Sequence, residues 1–219
     1  GSSRKAIYPS EASVSFLDNG FDRYEGKCLR AAWYRIMGYK KTEPASVSLS
    51  MIGSVGKWDE IGVIERWKEM GIWVENNVKF YNQEYVISGE LDCVLRNPED
   101  KTLIGMECKS YYGYNAEREI LGGKKPPFPG RPKFSHFLQA SIYNWEFRDI
   151  LSEYRIYYID RGNGTRCEFR IGSELIEDKN VVWYQQLPCD SWNYFNCDRI
   201  YMLFSIEDIY RIIKLLGDF

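Results

Sequence analysis

The chain has 219 residues, 44% of them hydrophobic, enough to bury one substantial core and a length common for a single α/β domain, so one domain over residues 1–219 is expected. Lysine and arginine total 29 against 31 aspartate and glutamate, a net charge of -2, which excludes a nucleic-acid partner held by global charge and requires any basic surface to be local. No apolar run has the length of a membrane span or the layout of a signal peptide, so a cytoplasmic protein with no membrane partner is expected.

Gly1-Ser2-Ser3 has the look of a cloning remnant. From Ser13 to Tyr39, Val14, Phe16, Leu17, Leu29, Ala32, Trp33 and Ile36 recur at roughly helical spacing, interrupted by Asn19-Gly20 and Gly26, which predicts two short helices with a turn between them. Thr42 to Ser50, with Pro44, is a connector. From Ser50 to Met70 the residues Ile52, Val55, Trp58, Ile61, Ile64, Trp67 and Met70 recur every three, predicting a long helix that Gly71 stops. Short β-type runs follow at Ile72 to Val78, Tyr85 to Ser88, Leu91 to Leu95 and Leu103 to Cys108, with a turn at Asn97-Pro98-Glu99-Asp100.

Tyr111 to Lys133 is rich in Tyr, Gly, Pro, Lys and Arg and gives no regular pattern, so a functional loop is expected there. Phe134 to Ile150 returns to helical spacing. Tyr154 to Asp160 and Thr165 to Ile171 alternate around Arg161-Gly162-Asn163-Gly164, a hairpin, and Ile206 to Leu216 is a closing amphipathic helix. The order predicts an α/β fold with a central mixed β-sheet flanked by helices.

Chemistry concentrates in Tyr85 to Lys109. Asp92 ends one β-like run, and Glu107 and Lys109 end the next, within otherwise apolar surroundings where a charge needs a partner. Phosphodiester hydrolysis needs a nucleophilic water, a neutralised phosphate and a stabilised leaving oxygen, and one or two Mg²⁺ or Mn²⁺ ions supply these when carboxylates hold them with positions left open. Asp92 and Glu107 are the candidate ligands, and the backbone carbonyl of Cys108 adds a third oxygen. Lys109, two residues after Glu107 on a strand, leaves the same face. An acid and a lysine two apart are otherwise an ordinary solvated face.

These motifs, Gly89-Glu90-Leu91-Asp92 followed by Glu107-Cys108-Lys109, resemble the PD-(D/E)xK nuclease superfamily, and more closely its RecB-like and lambda-exonuclease-like branch, over roughly Val14 to Ile159. Leu91 stands where a proline often precedes the aspartate. Gln139-Ala140-Ser141-Ile142-Tyr143 fits the branch's QxxxY element, with both side chains on one helix face. The resemblance implies a restriction-endonuclease-like core and a metal-dependent deoxyribonuclease, with exonuclease action expected, on single- or double-stranded DNA in repair, recombination or phage DNA processing. It also implies catalytic roles for Asp92, Glu107, Lys109, Gln139 and Tyr143, and a further metal ligand from the preceding helix, Glu60 or, alternatively, Asp59. Monomers, homo-oligomers and larger DNA-processing complexes all occur in that branch.

Cys28-Leu29-Arg30-Ala31-Ala32-Trp33-Tyr34 resembles the segment that, in CRISPR-adaptation relatives, lends a cysteine to an iron–sulfur cluster. Here Cys189 and Cys197 lack close companions and Cys167 lies in a predicted strand, so free thiols are expected and a cluster is not. Lys124, Lys125, Arg131 and Lys133 form one local basic cluster. With Tyr111, Tyr112, Tyr114 and Phe128 they make either a flap for a sugar-phosphate backbone and its bases or a solvated loop. His136, the only histidine, is either a phosphate contact or a plain helix-start residue. The alternative to catalysis is a nucleic-acid-binding or interaction module of the same fold.

Overall fold

The computed structural model describes residues 5–39, 46–124, 127–188 and 198–217, and the side chains of 47–50, 124, 127 and 217 lie outside that description. After a 3-10 turn at Pro9–Glu11 come β1 (Ser13–Asp18), β2 (Phe21–Gly26), α1 (Leu29–Ile36) and α2 (Val47–Glu69). They are followed by β3 (Trp73–Asn82), β4 (Ile87–Arg96), β5 (Leu103–Tyr111) and α3 (Tyr114–Leu121). Short strands β6 (Gly122–Lys124) and β7 (Pro127–Pro129) lead to α4 (Phe134–Glu146). The chain ends with β8 (Glu153–Asp160), β9 (Arg166–Ile176), β10 (Lys179–Gln186), β11 (Ile200–Ser205) and α5 (Ile206–Gly217).

Seven strands form a central mixed sheet in the order β11-β10-β9-β8-β5-β4-β3, in which only β5 and β8 run parallel. A parallel pair needs a long crossover. The segment between β5 and β8 supplies it, and it carries α4 onto one face of the sheet.

On that face α4 buries Phe137, Leu138 and Ile142 against Tyr154, Ile156 and Phe169, with α5 adding Ile209 and Ile213. On the other face α2 lays Ile64 and Trp67 over Cys93, Leu95, Ile104, Met106 and Tyr157. Side chains alternate along a strand, so Ile104 and Met106 turn to α2 while Glu107 turns to α4. No helix among the described residues is long and apolar enough to cross a membrane.

The N-terminal expectation fails in its first half. Ser13 to Gly26 is a β-hairpin rather than a helix, closed by Asn19 (φ 51°) and Gly20 (φ 81°). Two successive residues at positive φ make a turn whose twist matches paired strands, and Asn-Gly is the dipeptide that accepts it most readily. Tyr85 to Ser88 and Leu91 to Leu95 belong to β4 alone, save that Tyr85 and Val86 sit in the turn before it. The segment expected to be irregular, Tyr111 to Lys133, contains α3 and the β6–β7 pair, anchored by buried Ile120 and Leu121.

Helix α2 ends close to where it was expected but begins at Val47, inside the expected connector, and its stripe of apolar residues is not one contact face: Ile52, Val55, Trp58 and Ile61 are exposed, whereas Ile64 and Trp67 are buried. A period of three lags the helical turn by about 60° per step, so only two or three successive members can face the sheet.

Gly172 on β9 lies under the Trp183 indole, where an added Cβ would sit 2.3 Å from Cζ2. Gly172→Ala is expected to cost about 1–3 kcal/mol through overpacking, seen as a fall in the thermal unfolding midpoint by circular dichroism.

Candidate metal centre

Antiparallel pairing between β4 and β5 runs from Arg96↔Leu103 to Cys93↔Met106 and stops. The next residues along the two strands are Asp92 and Glu107. Beyond this fork β5 continues beside β8 to Tyr111↔Asp160, while β4 continues beside β3. The Cys108 N–H, on the edge that β4 has left, donates to Asp92 Oδ2 at 2.7 Å. A carboxylate thus satisfies a donor that a longer ladder would have taken.

Glu107 is 1% exposed and collects three donors. Lys109 Nζ (2.5 Å) and Gln139 Nε2 (2.7 Å) donate to Oε1, and the Tyr154 hydroxyl donates to Oε2 at 3.2 Å. A buried carboxylate is tolerated when paired and hydrogen-bonded in this way. Burial pulls the Lys109 ammonium down, but the Glu107 and Asp92 charges outweigh it and hold its pKa above the ordinary lysine value. Burial, then the Glu107 charge, pushes Asp92 above the usual carboxylate range.

Tyr143 reaches the same region from α4. Its hydroxyl donates to the Glu90 carbonyl at 3.0 Å and accepts from the Glu90 N–H at 3.3 Å. This close approach needs Gly89: a Cβ there would sit 2.6 Å from the Phe80 ring and 2.9 Å from Tyr143. Gly105 makes the matching room on β5, where a Cβ would sit 2.7 Å from Tyr154. The two tyrosine rings stack at 5.9 Å across the fork.

Glu60 on α2 lines a small cleft with Asp59, Cys108, Lys109 and Ser110. Its Oε1 is ion-paired with Lys57 at 2.7 Å, and its charge is felt at Asp92. The Oδ2 of Asp59 is buried with no hydrogen-bond partner, so the expected choice between Glu60 and Asp59 stays open. The α2, β4–β5 and α4 segments thus converge, with Asp92, Glu107, Lys109, Gln139 and Tyr143 together and Glu60 at the margin.

The donors are all oxygens, which suits a hard cation such as Mg²⁺ or Mn²⁺, an ion that takes one or two carboxylates and keeps several waters. Among the described residues no group of three His, Cys, Asp or Glu side chains stands close enough to hold a metal ion. The carboxylates that an ion could meet at the fork are Asp92 and Glu107, and Glu60 has one oxygen engaged by Lys57.

Other expected contacts are dispersed. Lys125 and the Lys124 side chain lie outside the described residues, as do Cys189 and Cys197. Cys28, Cys93, Cys108 and Cys167 form no disulfide among the described residues. Arg131 pairs with Glu119 at 3.4 Å, and Tyr112 is exposed just past β5, whereas Tyr111, expected to be offered to bases, is buried at the strand's end. The Lys133 N–H donates to the Tyr158 hydroxyl (3.1 Å), which lies 2.9 Å from His136 Nδ1. Burial, then Lys109, Lys133 and Lys27, pushes His136 down to about 3, so near neutrality it carries no charge for an ionic phosphate contact.

Two contributors went unnoticed in the sequence. Tyr154 looked like one residue of an alternating strand, and Lys57 was visible only as a lysine three before Glu60, one helical turn away.

The lowered His136 value fixes a sign. Below the ordinary 6.5 an unfolded chain binds a proton that the folded chain refuses, so stability is lost as pH falls from there towards 3. In urea titrations over this range His136→Gln is expected to show a shallower loss than the parent protein.

In comparisons with known proteins, no family model, no curated protein and no solved structure matches this chain.

Proposed function

We propose that this chain is a Mg²⁺- or Mn²⁺-dependent deoxyribonuclease with a restriction-endonuclease-like core, related to the RecB-like and lambda-exonuclease-like nucleases. The observation that carries the reading is the fork between β4 and β5, where Asp92, Glu107 and Lys109 meet with Gln139 already bonded to Glu107. Asp92 and Glu107, with the Cys108 carbonyl and Glu60 or Asp59, would hold the ion. When bound, it would supply charge neutralisation at the scissile phosphate and a more acidic water.

The protein groups divide the remaining work. Lys109 stays protonated, because its carboxylate neighbours outweigh its burial, so its part is to orient water and offset charge on phosphate rather than to accept a proton. Gln139 and Tyr154 fix the rotamer of Glu107. Tyr143 secures the backbone of β4 two residues before Asp92 rather than reaching out to DNA.

One observation favours a binding module instead: Lys57 on Glu60 and Lys109 on Glu107 already compensate two of the carboxylates without a metal. The two readings separate on DNA that is end-labelled and linear or closed and circular. Cleavage is expected with Mg²⁺ or Mn²⁺, is lost in EDTA and returns with added Mn²⁺. Asp92→Asn and Lys109→Met are expected to lower the rate by at least about 100-fold, and Gln139→Ala by about tenfold. DNA binding that persists in EDTA, with no cleavage of either substrate, would establish the binding module.

A further inference from the structure

A second concavity, of about 360 Å³, opens between the β1–β2 hairpin, the start of α4 and β11. It lies near the lower end of the roughly 300–1,000 Å³ typical of ligand pockets, so it suits one large side chain. Its floor is aromatic. Phe204 is packed by Phe16 (5.2 Å between ring centroids), Phe134 (5.9 Å) and Phe137 (6.3 Å).

The rim decides the sign of charge it accepts. Asp18 is paired with Arg23, and Glu119 with Arg131. The Glu25 side chain, half-buried on β2, has no ion pair or hydrogen bond among the described residues. Glu25 is therefore the carboxylate at the mouth whose charge no arginine offsets, which disfavours a phosphate there even though a base could stack on the floor. An aromatic group that brings a cation is complementary on both counts.

The position of β11 points to an extended peptide. It is an edge strand of the sheet, and Met202, Leu203 and Phe204 all line the pocket. These three residues fall where the pairing of β10 with β11 shifts register between Val181 and Trp183, so they bulge from the ladder rather than alternate regularly across it. Backbone groups there can pair with an extended segment while a side chain enters the pocket. Leu203, 66% exposed, offers the apolar lip.

We infer that this pocket docks a segment of a partner protein carrying an aromatic anchor beside lysine or arginine, with the ring on the Phe16–Phe204 floor and the cation on Glu25. The site shares no residue with the metal centre and rests on no part of the nuclease reading.

The test uses three fluorescein-labelled capped peptides, Gly-Lys-Trp-Lys-Gly, Gly-Glu-Trp-Glu-Gly and Gly-Lys-Gly-Lys-Gly, titrated with the full chain in EDTA without nucleic acid. Anisotropy is expected to show saturable binding of the first at least about tenfold tighter than of the other two, with amide shifts at Met202 to Phe204. Glu25→Gln should remove the preference for Lys-Trp-Lys over Glu-Trp-Glu, and Leu203→Arg should weaken binding of the first peptide, each with an unchanged melting midpoint. Equal binding of the two tryptophan peptides, binding that neither variant alters, or no saturation at millimolar protein would overturn the proposal. So would self-association through the same residues, which assigns the pocket to a second copy.

Discussion

The buried carboxylate of Glu107 is the constraint on which the centre of this protein depends. A charge at 1% exposure on a central strand costs several kcal/mol in desolvation unless its neighbours replace the lost water. Lys109 on its own strand, Gln139 on the crossover helix and Tyr154 on the neighbouring parallel strand make that replacement. Each must arrive at a particular register and height, so the placement of β8 and α4 against β5 is fixed by polar geometry as well as by their apolar packing. The shape of the fold and the chemistry of the site are here the same requirement.

The second requirement is room. Strands β4 and β5 part at Asp92 and Glu107, and the space is filled by two stacked tyrosines that lie over positions without side chains, Gly89 and Gly105. Tyr143 meets the backbone of Glu90, so the part of β4 beyond the fork, paired with β3 along one edge, is also held from α4. This leaves Asp92 bonded through one oxygen to the Cys108 amide, with burial and the Glu107 charge holding its carboxyl above the usual range.

Much of this was legible in the sequence because the relevant signals are local. Charges interrupting two apolar runs marked Asp92 and Glu107, strand alternation put Lys109 on the face of Glu107, and helical spacing brought Gln139 and Tyr143 to one side of α4. What was hidden depended on backbone conformation or on distant partners. Val14 and Phe16 satisfy a period of two as well as they join a helical series, and the positive φ values at Asn19 and Gly20 decide between them. Helix α3 escaped notice because its buried anchors, Ile120 and Leu121, are adjacent and show no period. Strands β10 and β11 were also missed. The value of Gly89 shows only when Phe80 and Tyr143 are seen above it.

The parallel pairing of β5 with β8 has a consequence for the order in which the protein folds. The β4–β5 hairpin and the Lys109 contact involve neighbours in the chain, whereas Gln139 and Tyr154 are 32 and 47 residues away from Glu107. The entropy of closing that crossover is spent before either donor reaches the carboxylate. Until α4 and β8 dock, Glu107 keeps its hydration. Desolvation of the carboxylate and arrival of its distant donors therefore belong to one late step, and substitutions of Gln139 that destabilise the protein should act mainly on the rate of unfolding rather than of folding.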